Sequence, residues 1–132
     1  MSEPKFKNIF DSKRTIAVIG ISNNDSKPAY QVAAFLQDAG YKIVPINPAC
    51  EETLGEKCYP TLTDIPFPVD VVDVFRRSEF APDIAREAVK IGAKVLWLQD
   101  SVISEEAEQI AKDAGITFVQ NDCMKRQLMR LL

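Results

Sequence analysis

Three kinds of side chain in this sequence could act on a bound ligand, and their types and spacing limit what that action is. The cysteines are Cys50, Cys58 and Cys123, too scattered for the close-pair spacing of a zinc site. The carboxylates near strand ends are Asp73, Asp100 and Asp122, and none forms an evident pair with a nucleophile. Arg76 and Arg77 stand side by side where an apolar run ends, either as partners for a phosphate or as solvated residues after a strand. The 132 residues include 0 histidines, which excludes His-based acid/base chemistry, phosphohistidine, and Cys-His or Ser-His nucleophiles. The stretch around which the chain is organised is Thr15–Tyr30. There the apolar run Ile16–Ile19 meets Gly20, a polar segment follows from Ser22 to Lys27, and Pro28 opens a helix. A strand, a tight turn and a helix start make the place in an open α/β sheet where a phosphate-bearing ligand sits.

The turn narrows the choice of ligand. A dinucleotide fingerprint needs three glycines and this turn offers only Gly20; a P-loop needs Gly-Lys-Ser/Thr, which is absent. The second strand ends in Pro45-Ile46-Asn47-Pro48, without the acid that holds the ribose in NAD enzymes. On the residues alone, the turn either holds a phosphate-bearing ligand through backbone donors and Ser22, or holds nothing.

The elements that position these residues follow from periodicity. Residues 1–14 read as a helical lead-in through Phe6, Ile9 and Phe10. Strands are predicted at 15–20, 41–46, 69–75, 94–98 and 116–120, and helices at 28–39, 78–91, 104–114 and 124–132. Gly40, Gly92 and Gly115 each follow a helix and precede a strand, so the chain repeats a βα unit. That repetition predicts an α/β, Rossmann-like, doubly wound parallel sheet of five strands, helices on both faces, right-handed crossovers, and strand order 3-2-1-4-5. Asp70 and Asp73 fall on opposite faces of the third strand, which places them near the edges of the core, or one of them in solvent if that strand is the sheet edge.

Composition sets the outer bounds. At 132 residues and 46% hydrophobic, the chain is expected to form one domain over residues 1–132 with one core. No apolar stretch approaches the ~20 residues of a membrane span, and the N-terminus lacks an apolar signal core, so a cytoplasmic protein with free thiols is expected. A net charge of −3 with dispersed Lys and Arg points away from nucleic acid but leaves an anionic small ligand open. Cys123 is read as a small buried thiol, with a mixed disulfide to a thiol ligand as the alternative. Trp97 is read as core, and the apolar tail Met124–Leu132 as a closing helix, or a homodimer patch if exposed.

Several blocks together carry a family resemblance: GIS at 20–22, PINP at 45–48, LG-x-x-CYP at 54–60, VDVVDVFRRSE at 69–79, IGAKVLWLQ at 91–99 and DC-x-K at 122–125. Over about residues 6–130 the chain resembles the single-domain CoA-binding proteins, which are similar to the CoA-binding domain of the succinyl-CoA synthetase α subunit. The resemblance implies a Rossmann-like fold that binds coenzyme A, or an acyl-CoA, at the carboxyl ends of the strands without catalysis. It implies that Gly20, Ile21 and Ser22 wrap the pyrophosphate and that Tyr30 closes over it. Asn47 and Pro48 would line the adenosine end, and Val74, Phe75, Arg76 and Arg77 the nucleotide cleft. Gln99 and Asn121 to Cys123 would follow the pantetheine arm. Two departures stand out: Ala49 where relatives often have lysine after Asn-Pro, and Asp122-Cys123 with Gln127-Leu128 where relatives commonly read Arg-Cys and Glu-His. The alternatives are an NAD(P)- or CoA-dependent enzyme, and an interaction module with an empty cleft.

Overall fold

The structure is a computed structural model that describes residues 6–10 and 14–132. Five parallel strands form one sheet: β1 (Thr15–Ile19), β2 (Lys42–Ile46), β3 (Val71–Val74), β4 (Val95–Leu98) and β5 (Thr117–Val119). The helices are α1 (Lys7–Phe10), α2 (Pro28–Asp38), α3 (Ala81–Lys90), α4 (Glu105–Asp113) and α5 (Met124–Leu131). Of the expected lead-in helix, α1 is described; residues 1–5 and 11–13 lie outside the described residues.

The helices divide between the two faces by what their apolar stripes bury. On one face α1, α2 and α5 pack over Ile16, Val18, Ile43, Val71, Val95 and Trp97. On the other, α3 and α4 pack over Ala17, Val44, Val72, Val74, Leu96 and Leu98. The residues alternate between the two faces because successive strand side chains point to opposite sides of the sheet. Both faces are therefore covered, and the strands read as near-continuous apolar runs. Trp97 is fully buried, as expected, against Phe6 and Phe10 with ring centroids 4.9 and 6.1 Å away. The tail closes the core: Met124 and Leu128 are buried in the α2 face, while Met129 and Leu132 stay exposed.

The strand order is β2-β1-β3-β4-β5. It differs from the expected 3-2-1-4-5 in one placement: β3 lies beside β1, in register Ile16↔Val71 to Ile19↔Val74, and not beyond β2. The reason is burial. Val71, Val72 and Val74 are each 0% exposed, which requires neighbours on both edges and cover on both faces. Residues 47–70 supply the connection, a two-residue hairpin (Glu52–Thr53 with Glu56–Lys57) and a 3-10 turn at Leu62–Asp64. The chain thus leaves β1 in one direction to form β2 and returns past it to form β3, which puts the topological switch point between β1 and β3.

This placement also corrects the reading of Asp73. The residue lies at no edge but in register between Val18 and Trp97, fully buried. Neither carboxyl oxygen has a hydrogen-bond partner. Burial with no charged partner pushes its pKa well above the usual carboxylate range. Asp70 is half-buried, and its carboxylate accepts the Thr15 N–H at 2.9 Å. The expected helix at 78–91 begins later, with a 3-10 turn at Ser78–Phe80 before α3. Ser78 caps nothing in α3; its hydroxyl accepts the Ile103 N–H at 2.9 Å, tying the β3 and β4 exits together.

Candidate functional site

Gly20 fixes the centre of the site. It has φ +97°, and a Cβ built on it would stand 2.7 Å from the Phe75 carbonyl oxygen. Only a glycine lets the β1 and β3 exits approach so closely. The Phe75 N–H donates to the Ile19 carbonyl at 2.9 Å and the Gly20 N–H to that of Ile46 at 3.2 Å, so three strand ends are pinned around one turn.

Over this junction lies a cleft of about 620 Å³, within the ~300–1,000 Å³ usual for small-molecule sites. The β1 exit supplies Gly20 and Ser22, and the start of α2 supplies Lys27, Pro28, Ala29 and Val32. From β3 come Phe75, Arg76 and Arg77, from β4 Gln99 to Val102, and from beyond β5 comes Cys123. Lys27, in the N-cap position of α2, offers no side-chain cap, so the first N–H groups of that helix have no side-chain acceptor. A helix N-terminus with three nearby cations favours an anion on this side of the cleft. The Arg76 guanidinium sits 4.2 Å from the Phe80 ring centroid, and Arg77 is 3.7 Å from Glu79. Both arginines are exposed and available to a ligand.

The β4 and β5 exits are braced from behind. Arg126 holds Asp100 through two hydrogen bonds, 2.7 and 3.0 Å, and reaches Asp122 at 2.9 Å. The Arg126 guanidinium beside Asp100 keeps its carboxyl below the usual range. Gln99 is buried, and its side-chain oxygen accepts the Met124 N–H at 3.2 Å, so it anchors α5 while lining the cleft. The indole N–H of Trp97 donates to the Asp122 carbonyl at 2.8 Å, holding the residue before Cys123.

A second cavity, also about 620 Å³, opens beyond β2 and shares Ser22 with the first. Its other walls are Asn23, Asn47, Ala49, Cys50, Glu51 and Glu52. The hairpin docks here on the turn: Asn23 Nδ2 donates to the Glu52 carbonyl at 2.7 Å, and Thr53 Oγ1 to that of Ser22 at 3.3 Å. Cys58, buried behind the hairpin, has its thiol pushed up to about 12 by burial first and by the neighbouring Cys50 thiol second.

Of the residues singled out in the sequence, Gly20, Ser22, Phe75, Arg76, Arg77, Gln99 and Cys123 come together around the cleft. Ile21 and Val74 face the core, each 0% exposed. Asn47 borders the second cavity, but its side-chain amide is used internally: Nδ2 donates to the Ile21 carbonyl at 2.7 Å and Oδ1 accepts the Ala49 N–H at 2.8 Å. Tyr30, Pro48 and Asn121 line neither cavity. Asn121 acts at one remove, at φ 55° with Oδ1 accepting the N–H of Ser101, a cleft residue, at 2.8 Å. Sequence reasoning missed Lys27, Pro28, Ala29 and Val32, although helical spacing puts 28, 29 and 32 on one face. It also missed Ser101 and Val102, and named Asp100 only as a carboxylate near a strand end. Among the described residues no group of His, Cys, Asp and Glu could hold a metal ion, and no helix is long and apolar enough to cross a membrane.

Comparison with known proteins gives a consistent picture. The profile of the CoA binding domain matches residues 14–129. The chain is 40% identical over 124 residues to the uncharacterised protein YneT of Bacillus subtilis, covering 94% of this chain and 92% of that one. It is 33% identical over 111 residues to acetate–CoA ligase [ADP-forming] II of Archaeoglobus fulgidus. That match covers 83% of this chain but only 16% of the ligase. Among solved structures, a hypothetical protein from Pyrococcus horikoshii OT3 superimposes with a TM-score of 0.94 at 37% identity, covering 99% of this chain and 92% of that one.

Proposed function

This chain belongs to the CoA-binding domain family, and on that premise we propose that it holds a coenzyme A-type ligand in the β1/β3 cleft without transforming it. The observation that carries the reading is the distribution of chemistry along the cleft. Lys27, Arg76, Arg77 and the α2 N-terminus gather at the β1 and β3 exits, whereas the β4 and β5 exits contribute Gln99, Asp100 with its carboxylate held by Arg126, Ser101, Val102 and Cys123. Coenzyme A has the matching order, an anionic pyrophosphate followed by an uncharged amide arm that ends in a thiol. In this reading Gly20 and Ser22 border the pyrophosphate, Arg76 and Arg77 neutralise it, and Phe75 and Val32 pack against the arm. The buried Gln99 and the Asp100–Arg126 pair hold the far wall in place.

The same geometry favours holding over conversion. Asp100, the carboxylate among the described cleft-lining residues, is committed to Arg126 by two hydrogen bonds. Asp122 is occupied by Arg126 and Gln127, and Asp73 is fully buried with its pKa pushed well above the usual carboxylate range. None of the three is poised as a general base. The ligase relative places a similar segment within a much longer chain, and its activity stays with that chain.

Thermal unfolding with and without ligand tests the proposal. Coenzyme A at about 100 times its dissociation constant stabilises the folded state by about 2.7 kcal/mol and raises the unfolding midpoint. No shift with coenzyme A, alongside a clear shift with NAD or NADP, contradicts the reading.

A further inference from the structure

Two cysteines flank the hairpin, and holding a ligand in the cleft requires neither. Cys50 precedes Glu52–Thr53 and Cys58 follows Glu56–Lys57, and both are free thiols. The register Glu52↔Lys57 and Thr53↔Glu56 brings the ends of this loop together, and the Cys58 N–H donates to the Glu51 carbonyl at 2.9 Å. Cys58 therefore sits opposite Glu51, the residue next to Cys50. The thiols are neighbours: burial is the first cause that raises Cys58, and hydrogen bonding and charge from Cys50 come next. They differ in access. Cys50 is half-buried and lines the second cavity, whereas Cys58 is only 6% exposed. Cys50 is also tied to the turn after β1. Its Sγ accepts the Asn23 Nδ2–H at 3.8 Å, and its thiol donates to the Glu52 carbonyl at 3.4 Å.

We propose that Cys50 and Cys58 are a redox pair, which a small disulfide oxidises to an intramolecular disulfide that staples the hairpin beside the turn after β1. Cys50, the accessible thiol, attacks first as its thiolate. Its sulfur bonds to one sulfur of the small disulfide, the S–S bond there breaks, and one small thiol leaves with the proton. Cys58 then attacks the Cys50 sulfur, forms the Cys50–Cys58 bond and expels the second small thiol, which takes the Cys58 proton. Two protein thiols are oxidised and one small disulfide is reduced to two thiols, so two electrons and two protons pass to the oxidant. Once Cys50 is in the mixed disulfide it carries no thiolate, and its charge no longer holds the proton on Cys58. The product closes the loop from 50 to 58, which restricts the unfolded chain and stabilises the folded one.

Hydroxyethyl disulfide, an uncharged probe suited to a cavity bordered by Glu51 and Glu52, tests this on the full chain. Mass spectrometry after unfolding, alkylation of the remaining thiols and tryptic cleavage reads the products. The wild type yields residues 43–57 joined to residues 58–76, because cleavage after Lys57 leaves the new bond as the link between them. Cys58→Ser stops at a hydroxyethylthio adduct on Cys50, and Cys50→Ser leaves Cys58 as a thiol that is alkylated. The oxidised wild type unfolds about 5 °C or more above the reduced chain, and dithiothreitol abolishes the difference. A wild type that keeps the adduct on Cys50, stays unmodified there, or joins Cys58 to Cys123 or to a second chain overturns the inference. An oxidised midpoint no higher than the reduced one overturns the staple.

Discussion

Replacing Gly20 with alanine tests the junction on which the site depends. Two costs follow from the geometry. At φ +97° an L side chain is strained, which costs about 1–3 kcal/mol. The added Cβ also stands 2.7 Å from the Phe75 carbonyl oxygen and 3.2 Å from its carbon, inside the 3.4 Å at which ordinary contact begins. Forced overpacking of this kind costs about 1–3 kcal/mol. The atom in the way is backbone, pinned by the Phe75 N–H to Ile19 hydrogen bond, so it cannot swing aside as a side chain would. Together the costs reach about 2–6 kcal/mol, a fall of roughly 8–24 °C in the unfolding midpoint at about 4 °C per kcal/mol for a chain of this size. Gly55→Ala is the control, because Gly55 has φ +75° but nothing within 4 Å of an added Cβ, and so carries the strain without the clash. Calorimetric unfolding of both variants, with coenzyme A titration of any folded Gly20→Ala, reads the difference. The larger fall belongs to Gly20→Ala, with at least about a tenfold loss of affinity as the β1 and β3 exits separate. A Gly20→Ala midpoint no lower than that of Gly55→Ala, with affinity unchanged, refutes the reasoning.

Other outcomes follow from the same structure. Asp73 has its folded-state pKa raised by burial, so its contribution to stability is fully present below the usual carboxylate range and is lost as pH rises through the folded value. Asp73→Asn removes that dependence, and its unfolding midpoint gains on the wild type between pH 5 and pH 8. Arg76→Ala with Arg77→Ala weakens coenzyme A binding by about tenfold or more and flattens its salt dependence, with little change in stability because both side chains are exposed. Asn47→Ala leaves the Ile21 carbonyl without its 2.7 Å donor, which costs about 1–3 kcal/mol, read as a lowered denaturation midpoint.

The repeating βα unit was legible because it is local: glycines close the helices and apolar runs mark the strands. The order of the strands was not, because pairing is set by contacts across the whole chain. Asp73 made the third strand resemble an edge, although its valines already carried the opposite message. The cleft was legible where strand ends meet the turn, at Gly20, Ser22, Phe75, Arg76, Gln99 and Cys123. It was misread where the pleat reverses direction: Val74 and Phe75 are neighbours in sequence, yet one faces the α3 side of the core and the other the cleft. Asn47 shows a further limit. Its type suits ligand contact, but its amide holds the Ile21 and Ala49 backbone instead, and no sequence pattern distinguishes the two uses.

Backbone amide NMR of the isotopically labelled chain, titrated with coenzyme A, tests the central claim most directly. The account predicts saturable shifts concentrated at Gly20 to Val32, Phe75 to Arg77, Gln99 to Val102 and Cys123. Shifts confined to other surfaces, or none at saturating ligand, contradict it.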